Sequence, residues 1–135
     1  MYSHDLHLRV RYGETDQMGY LYYGRYAEYF EVGRVETIRS LGMSYKELED
    51  KHGIWLPVVS MEMRFVRPAH YDDLLSISTE IRRLPDEYIT FHTEIKNEQR
   101  QLVNAGTVRL CFFSPEQKKV VHAPELLLEK LRPHF

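Results

Sequence analysis

Tyr12-Gly13-Glu14-Thr15-Asp16-Gln17-Met18-Gly19-Tyr20-Leu21-Tyr22-Tyr23-Gly24-Arg25-Tyr26 forms an acidic, glycine-punctuated loop between two periodic segments. Before it, Leu6, Leu8, Val10 and Tyr12 alternate with His7, Arg9 and Arg11, the period of a half-buried strand. After it, Tyr26, Tyr29, Phe30, Gly33, Ile38 and Leu41 fall close to helical spacing. Glu28 and Glu31 lie early and Arg34 and Arg39 late, as the helix dipole prefers. The spacing predicts one helix from about Gly24 to Leu41, stopped by Gly42 at C′. Gly33 in its interior costs about 1 kcal/mol relative to Ala, which suggests close packing against a sheet. A junction of this kind sets a carboxylate beside backbone N–H groups that lack an intrahelical acceptor and favour negative charge. Acyl transfer needs such a base next to an anion-stabilising pocket.

Downstream, Ser44-Tyr45-Lys46-Glu47 matches a capping box and opens a short helix ending before Gly53. Val59, Met61, Met63 and Phe65 then alternate with polar residues, as do Leu75, Ile77, Thr79 and Ile81, and again Ile89, Phe91, Thr93 and Ile95. In the last long segment Val103 and Ala105 keep one phase and Val108, Leu110 and Phe112 the other, with the slip expected as a bulge at Gly106-Thr107. Pro85-Asp86-Glu87 and the run from Glu98 to Gln101 read as hairpin turns. Pro124 suits the first turn of a terminal helix carrying Leu126, Leu127, Leu128 and Leu131. The order is strand, long helix, four meandering strands and a terminal helix. An antiparallel sheet wrapped around one long central helix buries both apolar faces, an α+β fold in a single domain over residues 1–135. The sheet edges left open call for edge-to-edge dimerisation.

Eighteen Lys and Arg against twenty Asp and Glu give a net charge of −2, leaving no basic excess for a nucleic-acid partner. Aromatic residues make up 13%, ten of them Tyr, a type suited to half-wet pockets and interfaces. Cys111 is the only cysteine, so no intrachain disulfide forms and a cytoplasmic setting is expected. Neither a signal peptide nor an apolar run of membrane-spanning length is evident. The seven histidines are scattered without a His-x-x-x-His pair, so no metal site is expected. No Gly-x-Ser-x-Gly elbow is present, which removes an α/β-type serine hydrolase.

The element order and the loop resemble the hotdog fold, and the residues resemble acyl-CoA thioesterases of the 4-hydroxybenzoyl-CoA thioesterase type. In that family an aromatic-x-Asp/Glu-x-Asp-x-x-Gly segment precedes the long helix. Here it stands as Tyr12-Gly13-Glu14-Thr15-Asp16-Gln17-Met18-Gly19. Leu56-Pro57-Val58-Val59 and the run from Phe65 to Asp73 also resemble the family's second strand and the turn after it. The resemblance implies hydrolysis of an acyl-CoA, with Asp16 attacking the thioester carbonyl or activating water, and the backbone N–H of Tyr23 polarising the thioester oxygen. It also implies substrate contacts from Gly19, Tyr22, Gly24, Val58 and Val59. It implies no cofactor, coenzyme A entering as part of the substrate, and assembly as a homodimer or homotetramer. Two departures stand out. Some relatives carry histidine where this chain has Tyr23, so only the backbone contribution carries over. The turn after the third strand, Leu84-Pro85-Asp86-Glu87, is acidic where one characterised type is basic, leaving Arg82 and Arg83 as candidate phosphate ligands.

Alternatives stay open at this level. Asp16 also suits a helix cap or an Asx-turn, and Glu14 is a competing acid or a supporting one. The cluster of Tyr20, Tyr22, Tyr23 and Tyr26 suits a dimer interface as well as an acyl pocket. Arg82-Arg83 and Lys118-Lys119 suit plain solvated faces. A dehydratase on the same fold would need a histidine that this loop lacks, and a non-catalytic acyl-CoA-binding module would keep the scaffold without the turnover.

Overall fold

A computed structural model describes residues 1–135. Strand β1 (Tyr2–Arg9) leads through the acidic loop into helix α1 (Tyr26–Ser40), followed by α2 (Tyr45–His52). Strands β2 (Val58–Phe65), β3 (Leu74–Ile81), β4 (Tyr88–Lys96) and β5 (Leu102–Cys111) come next. A two-residue ribbon of β6 (Phe113–Ser114) and β7 (Lys119–Val120) precedes the terminal helix α3 (Glu125–Leu131).

The helix stops are those the residues dictate. Gly42 takes φ +89 just beyond the Leu41 cap of α1. Ser44 Oγ accepts the Glu47 amide at 3.1 Å at the start of α2, and Gly53 ends it in the left-handed region. Gly33 lies flat on the sheet: a Cβ there would stand 2.7 Å from Thr79 Oγ1 and 2.9 Å from Ile77 Cγ2. Phe30 and Ile38 of α1 pack with Ile77, Ile89, Phe91 and Leu110 from the sheet into one apolar cluster, which Leu127, Leu128 and Leu131 extend. Each such side chain, fully buried, contributes about 1.5–3 kcal/mol.

All sheet pairings are antiparallel, in the order β1-β3-β4-β5-β2. The four strands after the helix are therefore not a simple meander. Only β3, β4 and β5 follow one another, and β2 lies beyond β5 as an open edge. The segment after β2 cannot fold back as a hairpin, because Val66 and Arg67 donate to Val103 O and Ala69 O accepts from Leu21. These bonds tie the segment first to β5 and then to the loop, before β3 begins beside β1. The bulge is also displaced from Gly106-Thr107. Ile95 pairs with Asn104 and Lys96 with Leu102, so Val103 is the extra residue on β5. Asn104 and Gly106 consequently share the inward face with Val108 and Leu110, while Ala105 lies on the outer face with Arg64 and Glu94. Tyr12 leaves the strand pattern too, since β1 ends at Arg9 and Tyr12 starts a single 3₁₀ turn with its ring exposed. No helix is long and apolar enough to cross a membrane.

Candidate active site

The acidic loop is a small closed hairpin. Asp16 N donates to Tyr20 O at 2.9 Å and Gly19 N to Asp16 O at 3.0 Å, with Gly19 at φ +78 supplying the left-handed turn. Asp16 Oδ1 accepts the amides of Met18 at 2.9 Å and Tyr20 at 3.1 Å. One carboxylate oxygen thus closes an Asx-turn, and Oδ2 carries no hydrogen bond. The two readings of Asp16 are compatible, because the turn bonds fix the side chain while leaving an oxygen for chemistry.

Beyond the hairpin, Leu21 N binds Ala69 O at 2.7 Å and Tyr22 N binds Glu14 O at 2.9 Å. Tyr22 is extended at φ −60, ψ 132, and Tyr23–Arg25 form a 3₁₀ turn that runs straight into α1. Arg25 N returns to Tyr22 O and Tyr26 N to Tyr23 O. The amides of Tyr23 and Gly24 open this helical run without an acceptor inside it, and neither donates to any group in the protein. They form the positive end of the α1 dipole.

Asp16 lines an apolar cleft of about 330 Å³ together with Met18, Tyr20, Tyr23, Tyr26, Phe65 and Pro68. The Phe65 ring meets Tyr26 edge-on at 5.5 Å and Tyr23 at 6.4 Å. Burial pushes the Tyr26 hydroxyl up to about 12, so it stays neutral through the working pH range. Tyr22 turns its ring across Gly24: a Cβ on Gly24 would lie 2.8 Å from the ring. Of the four tyrosines, Tyr20, Tyr23 and Tyr26 reach the cleft and Tyr22 covers its flank.

Glu14 faces the opposite way. It is 4% exposed, and Oε1 accepts Arg11 N at 2.9 Å and the Tyr29 hydroxyl at 2.8 Å, while Oε2 accepts Arg11 Nη2 at 3.1 Å. Burial acts to raise its pKa, but the Arg11 and Tyr29 hydrogen bonds outweigh it and hold the carboxyl below its ordinary value. Glu14 is no rival to Asp16 for the cleft.

Four residues read as substrate contacts do not join the site within one chain. Val58 and Val59, 48% and 49% exposed, stand at the other end of β2 from Phe65, roughly 23 Å away at strand rise. Arg82 and Arg83 follow the end of β3 opposite the loop, where they share a hollow of about 500 Å³ with His92 and Arg109. A wider hollow of about 520 Å³ covers the outer face of the sheet, but Glu62, Arg64, Glu80 and Lys96 line it with mixed charge and it lies away from Asp16. Phe65 and Arg67, which also lines the cleft, were not legible as site residues. The available signal for Phe65 was its place as the last inward residue of β2, adjoining the turn that meets the loop.

The profile of the thioesterase-like superfamily matches residues 10–131. YneP of Bacillus subtilis, provisionally named an acyl-CoA thioesterase, is 37% identical over 105 residues, covering 77% of this chain and 75% of YneP. The Escherichia coli acyl-CoA thioester hydrolase YbgC is 27% identical over 125 residues, covering 93% of this chain and 92% of YbgC. The solved structure of the DHNA-CoA thioesterase of Staphylococcus aureus superposes with a TM-score of 0.84 at 30% identity, covering 90% of this chain and 81% of that one. Sheet order, central helix and these matches agree: the chain is a hotdog-fold protein and belongs to the thioesterase-like superfamily.

Proposed function

We propose that this protein is an acyl-CoA thioesterase, hydrolysing the thioester to a carboxylic acid and coenzyme A. The observation that carries the reading is the pairing of an Asp16 oxygen without a hydrogen bond, on an apolar cleft, with two unpartnered amides at the start of α1. A thioester carbonyl is poorly delocalised, so it needs a nucleophile and a place for the oxyanion. Asp16 acts as base on water or as nucleophile itself, and the Tyr23 and Gly24 amides receive the oxyanion. With Asp16 as base, it takes a proton from water as the water oxygen adds to the carbonyl carbon, the C–S bond breaks and that proton passes to the leaving thiolate. With Asp16 as nucleophile, its oxygen displaces the thiolate to give an anhydride, which a water hydrolyses to the acid and free Asp16, supplying the thiolate's proton. The acyl group lies against Tyr23, Tyr26 and Phe65. No cofactor takes part.

The open β2 edge supports a homodimer, or a homotetramer built from it. Pairing β2 with its copy about a two-fold axis reverses strand direction. The Val58-Val59 end of one protomer then meets the Phe65 end of the other, which explains why these residues lie apart in one chain. The same rotation turns the partner's Arg82, Arg83 and Arg109 end toward the side of this loop, where coenzyme A phosphates would leave the cleft. A cytoplasmic location, where acyl-CoA is made and consumed, accompanies this reading.

The test is hydrolysis of acyl-CoA esters spanning aromatic, short and long aliphatic groups, followed by free thiol release. The unmodified protein should turn over at least one class, and D16N should lower kcat by at least about 100-fold. Absence of turnover across the panel would leave an acyl-CoA-binding module, and an active D16N would remove the assigned base.

A further inference from the structure

We infer that Glu14 is a positioning residue that locks the Asp16 carboxylate and the two helix-start amides into one frame; the inference rests on the role proposed for Asp16. Its side chain and its main chain hold different parts of the site. The carboxylate receives three donors, from Arg11 N, Arg11 Nη2 and the Tyr29 hydroxyl, and so ties the loop entrance to the first turn of α1. The carbonyl of the same residue accepts the Tyr22 amide at 2.9 Å. That bond sets the direction of the chain immediately before the unpartnered amides of Tyr23 and Gly24. Asp16 follows only two residues later, with its own turn closed on Met18 and Tyr20.

Rotation of Glu14 would therefore move the base and the amides relative to one another. A carboxylate used only to cap the loop would need one donor and would remain solvated. This one is nearly fully buried and spans two elements. Tyr29 is buried as well, so losing its hydrogen-bond partner leaves a largely desolvated hydroxyl unpaired. Arg11, by contrast, is largely open to solvent and adds less than the short contact suggests. The Tyr29 bond is the one that couples helix to loop.

Glu14 touches no substrate, so its loss should appear in kcat rather than in KM. In E14Q the carboxamide accepts at one oxygen and turns N–H groups toward the remaining donors. We expect kcat to fall about 10- to 100-fold with KM within about threefold, the scale of a small misplacement of catalytic groups. Y29F removes one donor and no charge, and should lower kcat by a smaller factor with KM unchanged. If the two act through one bond, the double variant should be no worse than E14Q alone. Should E14Q fail to fold, Y29F carries the test, with circular dichroism confirming its fold. An E14Q or folded Y29F enzyme with full kcat, a loss seen only in KM, or effects that simply multiply would overturn the inference. D16N assayed in parallel separates the two readings. An inactive D16N with a fully active E14Q removes the positioning role alone, and an active D16N removes both.

Discussion

Replacing Tyr23 with proline deletes one backbone N–H while preserving every backbone hydrogen bond in the fold, because that amide donates to nothing. The backbone is already suited to the change. Tyr22 sits at φ −60, ψ 132, in the extended region that a residue before proline prefers. Tyr23 opens a 3₁₀ turn, whose φ of about −50 to −70 matches the pyrrolidine ring. The fold should be retained, with about 0.4–1 kcal/mol added by restricting the unfolded chain. If the Tyr23 amide receives the oxyanion, its removal should lower kcat by about 10²–10³, or roughly 2.7–4 kcal/mol of transition-state stabilisation. The lost ring needs its own control, since Tyr23 is 65% exposed yet touches Tyr22 and Phe65. Y23A removes the ring and keeps the amide. Steady-state thioester hydrolysis by wild type, Y23A and Y23P, with melting curves for each, gives the comparison. A folded Y23P whose kcat lies within about threefold of Y23A would show that the Tyr23 amide does not receive the oxyanion.

Other predictions follow from the same geometry. G33A should lower stability by on the order of 1–2 kcal/mol: helix propensity gains about 1, but a Cβ pressed on two short branched side chains of β3 costs more. Urea unfolding at fixed protein concentration checks this, and an unchanged or raised midpoint would contradict it. V59D puts a like charge on the open β2 edge of both copies of a dimer. Light scattering should show the mass of a single chain, accompanied by lost turnover, and an active, undissociated V59D would argue against pairing through β2. The Glu14 carboxyl lies below its ordinary value of 4.5, so its contribution to stability is complete above that value and fades as pH falls through the lower folded value. Melting temperatures between about pH 3 and pH 6 should therefore drop more steeply in wild type than in E14Q, and parallel curves would exclude this linkage.

How much of this was legible depended on the range of the interaction. The helix limits could be read from Gly42, Ser44 and Gly53 because caps act within one turn of chain. Gly33 pointed to a close approach because glycine in a helix interior needs a tertiary reason, and Thr79 and Ile77 supply it. Alternation along β2 revealed which side chains share a face, but period 2 carries nothing about which strand lies alongside. The edge position beside β5 was invisible for that reason. Val103 and Ala105 mislead for a related one: both are buried although Ala105 lies on the outer face, so the apolar pattern puts the phase change three to four residues beyond the bulge at Val103. The Asx-turn at Asp16 is legible because its bonds to Met18 and Tyr20 are local. The part proposed for Glu14 depends on Tyr29, fifteen residues away on another element, and Val58, Val59, Arg82 and Arg83 stand at the end of the sheet opposite the loop, a placement that spacing along the chain does not carry.

The most direct measurement is a structure of the D16N protein with an intact acyl-CoA that the substitution leaves unhydrolysed. The thioester oxygen should lie about 3 Å from the amide nitrogen of Tyr23 or Gly24, with the substituted side chain facing the carbonyl carbon and the acyl group against Tyr26 and Phe65. A thioester bound with its carbonyl turned away from α1, or lodged on the outer face of the sheet, would contradict this arrangement.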